Sequence, residues 1–597
     1  MSIVPLVKAT LYGPSVEKNT VLDGLQKLGC MHLTDLSLGS TEEREAPGSS
    51  TYAREALQFL QDSPVRRRGL RSGRNVDLQM VVRDTIEVRD RSKMLADEFA
   101  QLHRWIADLE PWGDFELPEW AHQGDLRLWF YVVPNHKISV IQAIDLPWRV
   151  VARDGRFSYV VIVAADPPSG MPVAPVTLQP RSLSTLRSRL DEVEREMEEL
   201  DYRRIGLTLY IRMLRQYLDE ADDCAARQQA ERKTLEREQV FAVQGWAPRE
   251  RVEAMKSFAS DRRLAITIEA PGPKDTPPTL LQNPSALRGG ESMTMFYKTP
   301  GYSMWDPSKP VFFAFALFFG MIFSDAGYGL LLGILLLAIW KRLGRSENGG
   351  AMRGVLSALV ISSVAYGVLV GSYFGWTPPE GSHLGTLRLL DVNDRGLLML
   401  ISISIGIVHL TCANLVSAWG RRKSLAALSS IGWAAIVLGG FSVGLSKNYP
   451  GLAKLSDPGW GGIGLGGILI LLFSSEHPFN LAPKALLSRL LHGLKGFTEI
   501  SKAFGDVLSY LRLFALGLAS IKLGESFNSL ASGSMASRGV GLLLGLVILI
   551  VGHTINFSMG IMSGVVHGLR LNLIEFFNWS LPEEGERFKT FARKARG

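Results

Sequence analysis

Charge is almost absent from long stretches of the C-terminal half, and this limits the possible folds more than any other feature of the chain. Residues 311–340 carry one charge, Asp325, and residues 354–379, 396–420, 424–446 and 458–475 carry none. Residues 539–569 have only histidines as ionisable side chains. A bilayer-spanning helix needs about 20 mostly apolar residues, and these runs meet or approach that length. From Met1 to about Lys309 charged residues are dense and no apolar run approaches a span. The mean hydropathy of +0.11 over 597 residues therefore averages two unlike halves, a soluble one followed by a polytopic membrane domain. Such a balance excludes a mainly disordered chain. Three cysteines, Cys30, Cys224 and Cys412, are too few and too scattered for a disulfide scaffold or a cysteine-ligated metal site. The N-terminus MSIVPLVKAT lacks the basic region and apolar core of a signal peptide, so the soluble half is expected in the cytoplasm.

Basic clusters order the spans. They lie at Lys341, Arg342 and Arg345; at Arg421, Arg422 and Lys423; at Lys484, Arg489 and Lys495; and from Arg587 to Arg596. The positive-inside rule places all four in the cytoplasm. The apolar segments between them pair as 354–375 with 397–419, 425–446 with 460–476, and 503–530 with 539–570, each pair leaving and returning. A cytoplasmic soluble half then requires an even number of crossings in 306–340. That stretch reads as a tight hairpin turning near Ser324-Asp325-Ala326-Gly327, which makes eight spans with both termini inside. A single long helix with a weakly obeyed charge rule is the alternative.

The soluble half reads as α+β lobes and long helices. Residues 3–11, 15–28 and 30–36 follow a strand, helix, strand order, as do 239–246, 248–259 and 263–270, while 127–134 and 148–164 are β-rich. Leu183, Leu186, Leu190, Val193, Met197 and Leu200 are spaced 3, 4, 3, 4, 3, and Leu207, Ile211, Leu214 and Leu218 resume the seam. An earlier helix offers Val88, Leu95, Phe99, Leu102, Ile106 and Leu109. Both are heptad seams with charged flanks. They predict a long antiparallel coiled-coil hairpin with lobes at its ends, either a self-packing spacer or a strut that docks other subunits. The division expected is a cytoplasmic domain over 1–305, an all-α membrane domain of about eight helices over 306–580, and a basic tail over 581–597. No phosphate-binding GxxxxGK[ST] loop, dinucleotide GxGxxG, HExxH or CxxC is present, so neither nucleotide hydrolysis by this chain nor a cofactor or metal is indicated. The pI near 9.1 makes no case for nucleic acid, because the basic residues are accounted for by loop ends and mixed-charge helices.

The last two apolar segments carry Arg512, in SYLRLFALGLA (509–519), and Arg570, in HGLRLNLIEFF (567–577). An arginine in a bilayer costs from about 2.5 to more than 10 kcal/mol and stays protonated at physiological pH. Such a group is no proton carrier, but it attracts and releases a partner carboxylate. Snorkelling to the cytoplasmic face is the alternative for both. Gly560, Gly564 and Gly568 form a GxxxG series that permits close helix approach, against the Arg512 helix or as a smooth face toward a moving partner. His553, Asn556, His567 and His409 either line a watery path or bond to neighbouring helices.

These segments, taken with GWAPRERVEAM (245–255), TPPTLLQNP (276–284), MFYKTPGYSMWDPSKP (295–310), FFGMIFSDAGYG (318–329) and VGSYFGW (370–376), resemble the a-subunit (subunit I) of prokaryotic V/A-type rotary ATPases. The resemblance runs along most of the chain. It implies a non-catalytic, ion-translocating stator subunit, with its membrane half beside a ring of rotor proteolipids. Its coiled coil would contact the peripheral stalks and so, indirectly, the catalytic sector. The family's essential arginine falls on Arg512 and its second membrane arginine on Arg570. A rotor carboxylate that meets Arg512 would ionise, release its ion to one half-channel and reload from the other. Asp506, His567 and Glu575 are expected along the cytoplasmic half-channel and His409 along the opposite one. Where some relatives carry an acid and a histidine, this chain has Gly560 and Ser520, and Lys522 is an extra charge without an assigned role. Without the resemblance, a stand-alone secondary transporter with a regulatory coiled coil and a membrane-anchored scaffold are the competing readings.

Overall fold

The computed structural model describes residues 2–36, 50–69, 76–116, 126–345, 349–379, 381–422, 424–474, 494, 496, 498–536 and 539–594. The basic cluster Lys484, Arg489 and Lys495 lies outside them, as does Lys423. Two compact units emerge, one of residues 1–36 with 233–591 and the other of 37–232 with 592–597.

In the first unit, two stretches some two hundred residues apart build one sheet. Strand β1 (Leu6–Pro14) and helix α1 (Lys18–Leu28) lead to β2 (His32–Leu33). In the second unit come α2 (Ser50–Gln61), α3 (Leu78–Leu109), β3 (Arg127–Pro134), α4 (Ile138–Gln142), β4 (Trp148–Arg153), β5 (Phe157–Ala164), α5 (Leu183–Leu207) and α6 (Ile211–Arg232). The chain then re-enters the first unit through β6 (Leu235–Arg237), β7 (Val240–Pro248), α7 (Val252–Asp261) and β8 (Ala265–Glu269). β7 inserts beside β1, antiparallel from Leu6 opposite Pro248 to Pro14 opposite Val240, in the order β2-β7-β1-β8. The first and third lobes expected from the sequence are thus halves of one sheet.

Helices α3 and α5 pack antiparallel, because their apolar residues recur every seven positions: Val88, Leu95, Leu102 and Leu109 meet Leu186, Val193 and Leu200 in one buried seam. The pairs Arg189–Glu98 (2.8 Å) and Arg91–Glu196 (2.5 Å) flank it. The β-rich 148–164 splits into β4 and β5 where the Asp154 carboxylate accepts from the Arg156 and Phe157 amides at 2.7 and 2.6 Å.

After α8 (Arg288–Tyr297), the apolar half of the first unit folds into α9 (Ser308–Phe323), α10 (Ala326–Leu343), α11 (Gly349–Val370), α12 (Arg395–Gly420), α13 (Ala427–Asn448), α14 (Ser456–Phe473), α15 (Ile500–Ser509), α16 (Leu511–Met535), α17 (Val540–Arg570) and α18 (Phe577–Ser580). Among the described residues seven helical stretches are long and apolar enough to cross a membrane, and α9, with 16 residues, falls short of that length. The chain is a multi-pass membrane protein by this measure. Helices α15 and α16 run on through Tyr510 as one stretch.

The break between α9 and α10 falls at Ser324, which adopts the left-handed conformation (φ 50°), followed by Asp325 as the N-cap of α10. Both helices pack on α11, with Gly320 of α9 against Ser362 and Gly333 of α10 against Val360. Along α10 the contacts run backwards, from Ala326 beside Gly367 to Gly344 beside Arg353, so α10 is antiparallel to α11. Asp325 is the one charge in 311–340, and it is an anchor. Its Oδ1 accepts from the Tyr328 and Phe374 amides at 3.0 and 2.9 Å, and its Oδ2 from Ser372 Oγ and the Gly375 amide at 2.6 and 2.9 Å. The motifs FFGMIFSDAGYG and VGSYFGW are thus two sides of one buried joint.

The GxxxG series of α17 is a packing surface. A Cβ on Gly560, Gly564 or Gly568 would press on Phe323, Phe319 or Phe315 respectively, so the glycines seat a ladder of phenylalanines on α9. The glycines meet α9 first, and a Cβ on Gly560 would also lie 4.0 Å from Ser520 of the Arg512 helix, so the series packs inside the bundle.

The tail returns to the sheet instead of hanging free. The Phe588 amide donates to Thr279 O (3.1 Å), the Lys589 amide to His32 Nδ1 (2.9 Å) and the Phe591 amide to Met31 O (2.8 Å), while Phe588 is buried with Leu6 and Trp246.

Candidate functional site

Arg512 sits in the first turn of α16, where the helix buries Leu513, Gly517, Ile521 and Gly524 against the bundle. The opposite face exposes Ala515, Ala519, Ser526 and, farther along, Leu530, with Arg512 half-buried and Lys522 partly exposed in the same stripe. That face differs from the exposed face of α10, which presents Leu330, Ile334 and Leu337. Large aliphatic groups suit lipid tails, whereas small side chains let another helix come close.

The Arg512 guanidinium is held from two sides. Its Nε donates to Ser509 O at 2.9 Å and its Nη2 to Glu575 Oε1 at 2.7 Å. Glu575 is 2% exposed and Arg512 24%, so this is a buried carboxylate facing a partly solvated cation. Arg570, half exposed, approaches the same Oε1 at 3.7 Å. Glu575 Oε2 has no hydrogen-bond partner among the described residues. Glu575 lies in a π-helical stretch, Leu571–Phe576, that continues α17. Such wide turns occur mostly as single-turn insertions in α-helices, often at functional sites.

The other residues expected from the sequence gather around this pair. Asp506 Oδ2 accepts from Trp579 Nε1 of α18 at 2.7 Å. His567 is one turn before Arg570 on α17, and its Nδ1 is buried without a partner among the described residues. His409 of α12 bonds through Nδ1 to Tyr510 Oη at 2.8 Å, stacks on Phe576 (ring centroids 4.3 Å apart, 8° between planes) and faces Phe318 edge-on. It therefore sits with the Arg512 group.

The sequence reading did not name Tyr510, Trp579 or the π-helical turn. Tyr510 is fully buried, two residues before Arg512, and Trp579 is four residues past Glu575. Their aromatic side chains looked like ordinary membrane-helix residues. Only their polar ends, meeting His409 and Asp506 across 101 and 73 residues, reveal the role.

A second polar group lies midway along α16 and α17. His553 Nδ1 meets Tyr328 Oη at 2.6 Å and its Nε2 meets Asn528 Oδ1 at 3.0 Å. Asn556 Nδ2 donates to Tyr328 Oη at 3.1 Å and to Ser520 O at 2.9 Å. Lys522 pairs with Glu525, one turn along α16, at 2.8 Å.

No protein-family model matches the chain. It is 27% identical to "V-type ATP synthase subunit I" of Chlamydia pneumoniae, over 89% of this chain and 87% of that one. It is 29% identical to "A-type ATP synthase subunit I" of Pyrococcus horikoshii, over 70% of this chain and 63% of that one. A solved structure described as the cytoplasmic N-terminal domain of subunit I, homolog of subunit a, of V-ATPase aligns with 44% of this chain and 99% of its own, at 16% identity and a TM-score of 0.23. Over most of its length the chain is similar to subunit I of V-type and A-type ATP synthases, as its motifs suggested.

Proposed function

We propose that the chain is the stator subunit of the membrane sector of a V/A-type ATPase or ATP synthase, translocating ions against a proteolipid rotor ring without being catalytic itself. The observation that carries this reading is the half-buried Arg512, set in a face of small residues and held by the buried Glu575. A fixed cation in such a face attracts a carboxylate carried past it in a protein of low dielectric. Glu575 keeps Arg512 compensated while no rotor carboxylate is opposite. When one arrives, Arg512 favours its ionised form, so the ion it carries is released. Asp506, His567, Arg570 and Glu575 line one access route, with His409 behind them. The fixed charge blocks direct exchange between the two routes.

In this reading the domain of 306–580 crosses a prokaryotic cell membrane eight times. The short α9 and the reversed α10 supply two of the crossings, and both termini are cytoplasmic. Residues 1–305 include the coiled-coil strut that meets the peripheral stalks and through them the catalytic sector, and 581–597 is the basic tail. A cysteine at Ala519, exposed one face-repeat from Arg512, tests the placement in the assembled complex. Ala519→Cys is expected to cross-link to the rotor proteolipid and to stop ATP turnover until the link is reduced. A cross-link formed instead from Leu337→Cys, on the aliphatic face of α10, would contradict it.

A further inference from the structure

Arg512 is held by a carbonyl that an unbroken helix would not leave free. Inside an α-helix the Ser509 carbonyl would accept from the Leu513 amide, four residues on. Here the Leu513 amide donates to Tyr510 O at 3.0 Å, and the Tyr510 amide to Val507 O at 3.1 Å. Both bonds span three residues, the tighter kind found at helix ends and connectors. The Ser509 carbonyl is thereby left to Arg512 Nε, 2.9 Å away. The place of the cation depends on this kink at Tyr510.

Helix α12 is shaped to hold the kink. A Cβ on Gly406 would lie 2.6 Å from the Tyr510 ring, so the ring rests there on bare backbone. One turn on, His409 Nδ1 meets the Tyr510 hydroxyl at 2.8 Å. The same imidazole stacks on Phe576, which directly follows Glu575 in the π-helical stretch. One ring thus touches the neighbours of both members of the Arg512–Glu575 pair. Tyr510 is 0% and Phe576 2% exposed, and close packing leaves such side chains little freedom to shift. His409 Nε2 is buried without a partner among the described residues, so no hydrogen-bonded path leads on from the ring.

We propose that His409 is a positioning residue: through its bond to Tyr510 and its stack on Phe576 it sets the gap between Arg512 and Glu575, without carrying the transported ion. The proposal rests on the ion-translocating reading above and adds α12 to the parts that place the fixed charge. Without the bond to His409, Tyr510 relaxes toward regular helix and the Leu513 amide returns to Ser509 O. Arg512 then loses one of the two groups that hold it. A misplacement of about 1 Å at a reacting centre can cost about 100-fold in rate, so a small relaxation here has a large effect on transport.

The test uses the intact complex in sealed vesicles, with ATP-driven ion uptake measured as a function of pH. His409→Leu, which removes both the bond and the stacked ring, is expected to lower uptake about tenfold or more in a complex of unchanged subunit composition. His409→Asn, whose amide reaches the place of Nδ1 and either donates or accepts there, is expected to recover most of that loss with the pH profile unmoved. Tyr510→Phe and Gly406→Ala disturb the kink while leaving His409 in place. Both are expected to show the loss seen in His409→Leu, and they stand in if the histidine variants do not assemble. Uptake at the original rate by assembled His409→Leu, Tyr510→Phe or Gly406→Ala would overturn the positioning role. So would His409→Asn that pumps no better than His409→Leu or shifts the pH profile, because the titrating ring and not its bond would then be what transport needs. Arg512→Gln run alongside separates the two ideas. If it alone abolishes uptake, only the positioning role fails; if it too pumps normally, the ion-translocating reading itself fails.

Discussion

Replacing Glu575 by Gln removes the carboxylate charge that holds Arg512 while preserving the size of the side chain. The Arg512–Glu575 contact is 2.7 Å, and the carboxylate is 2% exposed. Two unit charges at about 4 Å attract by about 4 kcal/mol at an effective dielectric constant of 20. Breaking buried pairs by removing one partner costs about 3–5 kcal/mol. Arg570, half exposed at 3.7 Å, adds at most about 1 kcal/mol. In the proposed stator, with Glu575 neutral, a rotor carboxylate opposite Arg512 would no longer have to displace a competitor and would bind more tightly by up to that amount. At about 1.4 kcal/mol per tenfold, the ceiling is a two- to three-decade slowing of its departure. ATP-driven ion uptake by reconstituted complexes carrying Glu575→Gln is accordingly expected to fall at least about tenfold. Subunit composition, checked by co-purification, is expected to be retained. An assembled Glu575→Gln complex that pumps at the original rate would refute the exchange of counter-ions on Arg512.

Three further outcomes follow from the fold. A side chain at Gly564 would meet the Phe319 ring at 2.6 Å, so Gly564→Val is expected to cost about 1–3 kcal/mol of overpacking, read as a lower thermal inactivation midpoint. Leu95→Ala opens the fully buried α3–α5 seam and is expected to cost about 2–5 kcal/mol, measurable as a shift in thermal unfolding of the whole chain. His32, whose Nδ1 accepts from the Lys589 amide, has its pKa lowered mainly by burial. A base with a depressed folded pKa contributes stability that is complete above the unfolded value near 6.5 and is lost as pH falls below it. Proteolysis of the 581–594 segment is therefore expected to accelerate below about pH 6.5 in the native chain and to change less with pH in His32→Asn.

Much of the membrane half was legible because its signals are local: missing charge marks the spans, and the turn at Ser324-Asp325 is written in four adjacent residues. Arg512, Arg570 and His567 stood out for the same reason, as polar groups in apolar text, whereas Asp506 and Glu575 came only from the resemblance. What could not be read is contact at a distance. Nothing in the spacing says that β7 pairs with β1, that Asp325 caps its own helix and holds residues 372–375, or that glycines 560, 564 and 568 fit phenylalanines 323, 319 and 315. The partners of His409 were hidden for that reason, since Tyr510 and Phe576 lie 101 and 167 residues away. The seam between α3 and α5 was the easier part, because a seven-residue repeat needs only another such helix to complete it.

The central claim is that one fixed charge, Arg512, couples this chain to ion movement. ATP-driven ion uptake by vesicles holding a fully assembled Arg512→Gln complex measures it directly. The account predicts no uptake above background, although the complex still purifies with its rotor ring and stalks. Uptake at an appreciable fraction of the original rate would contradict it.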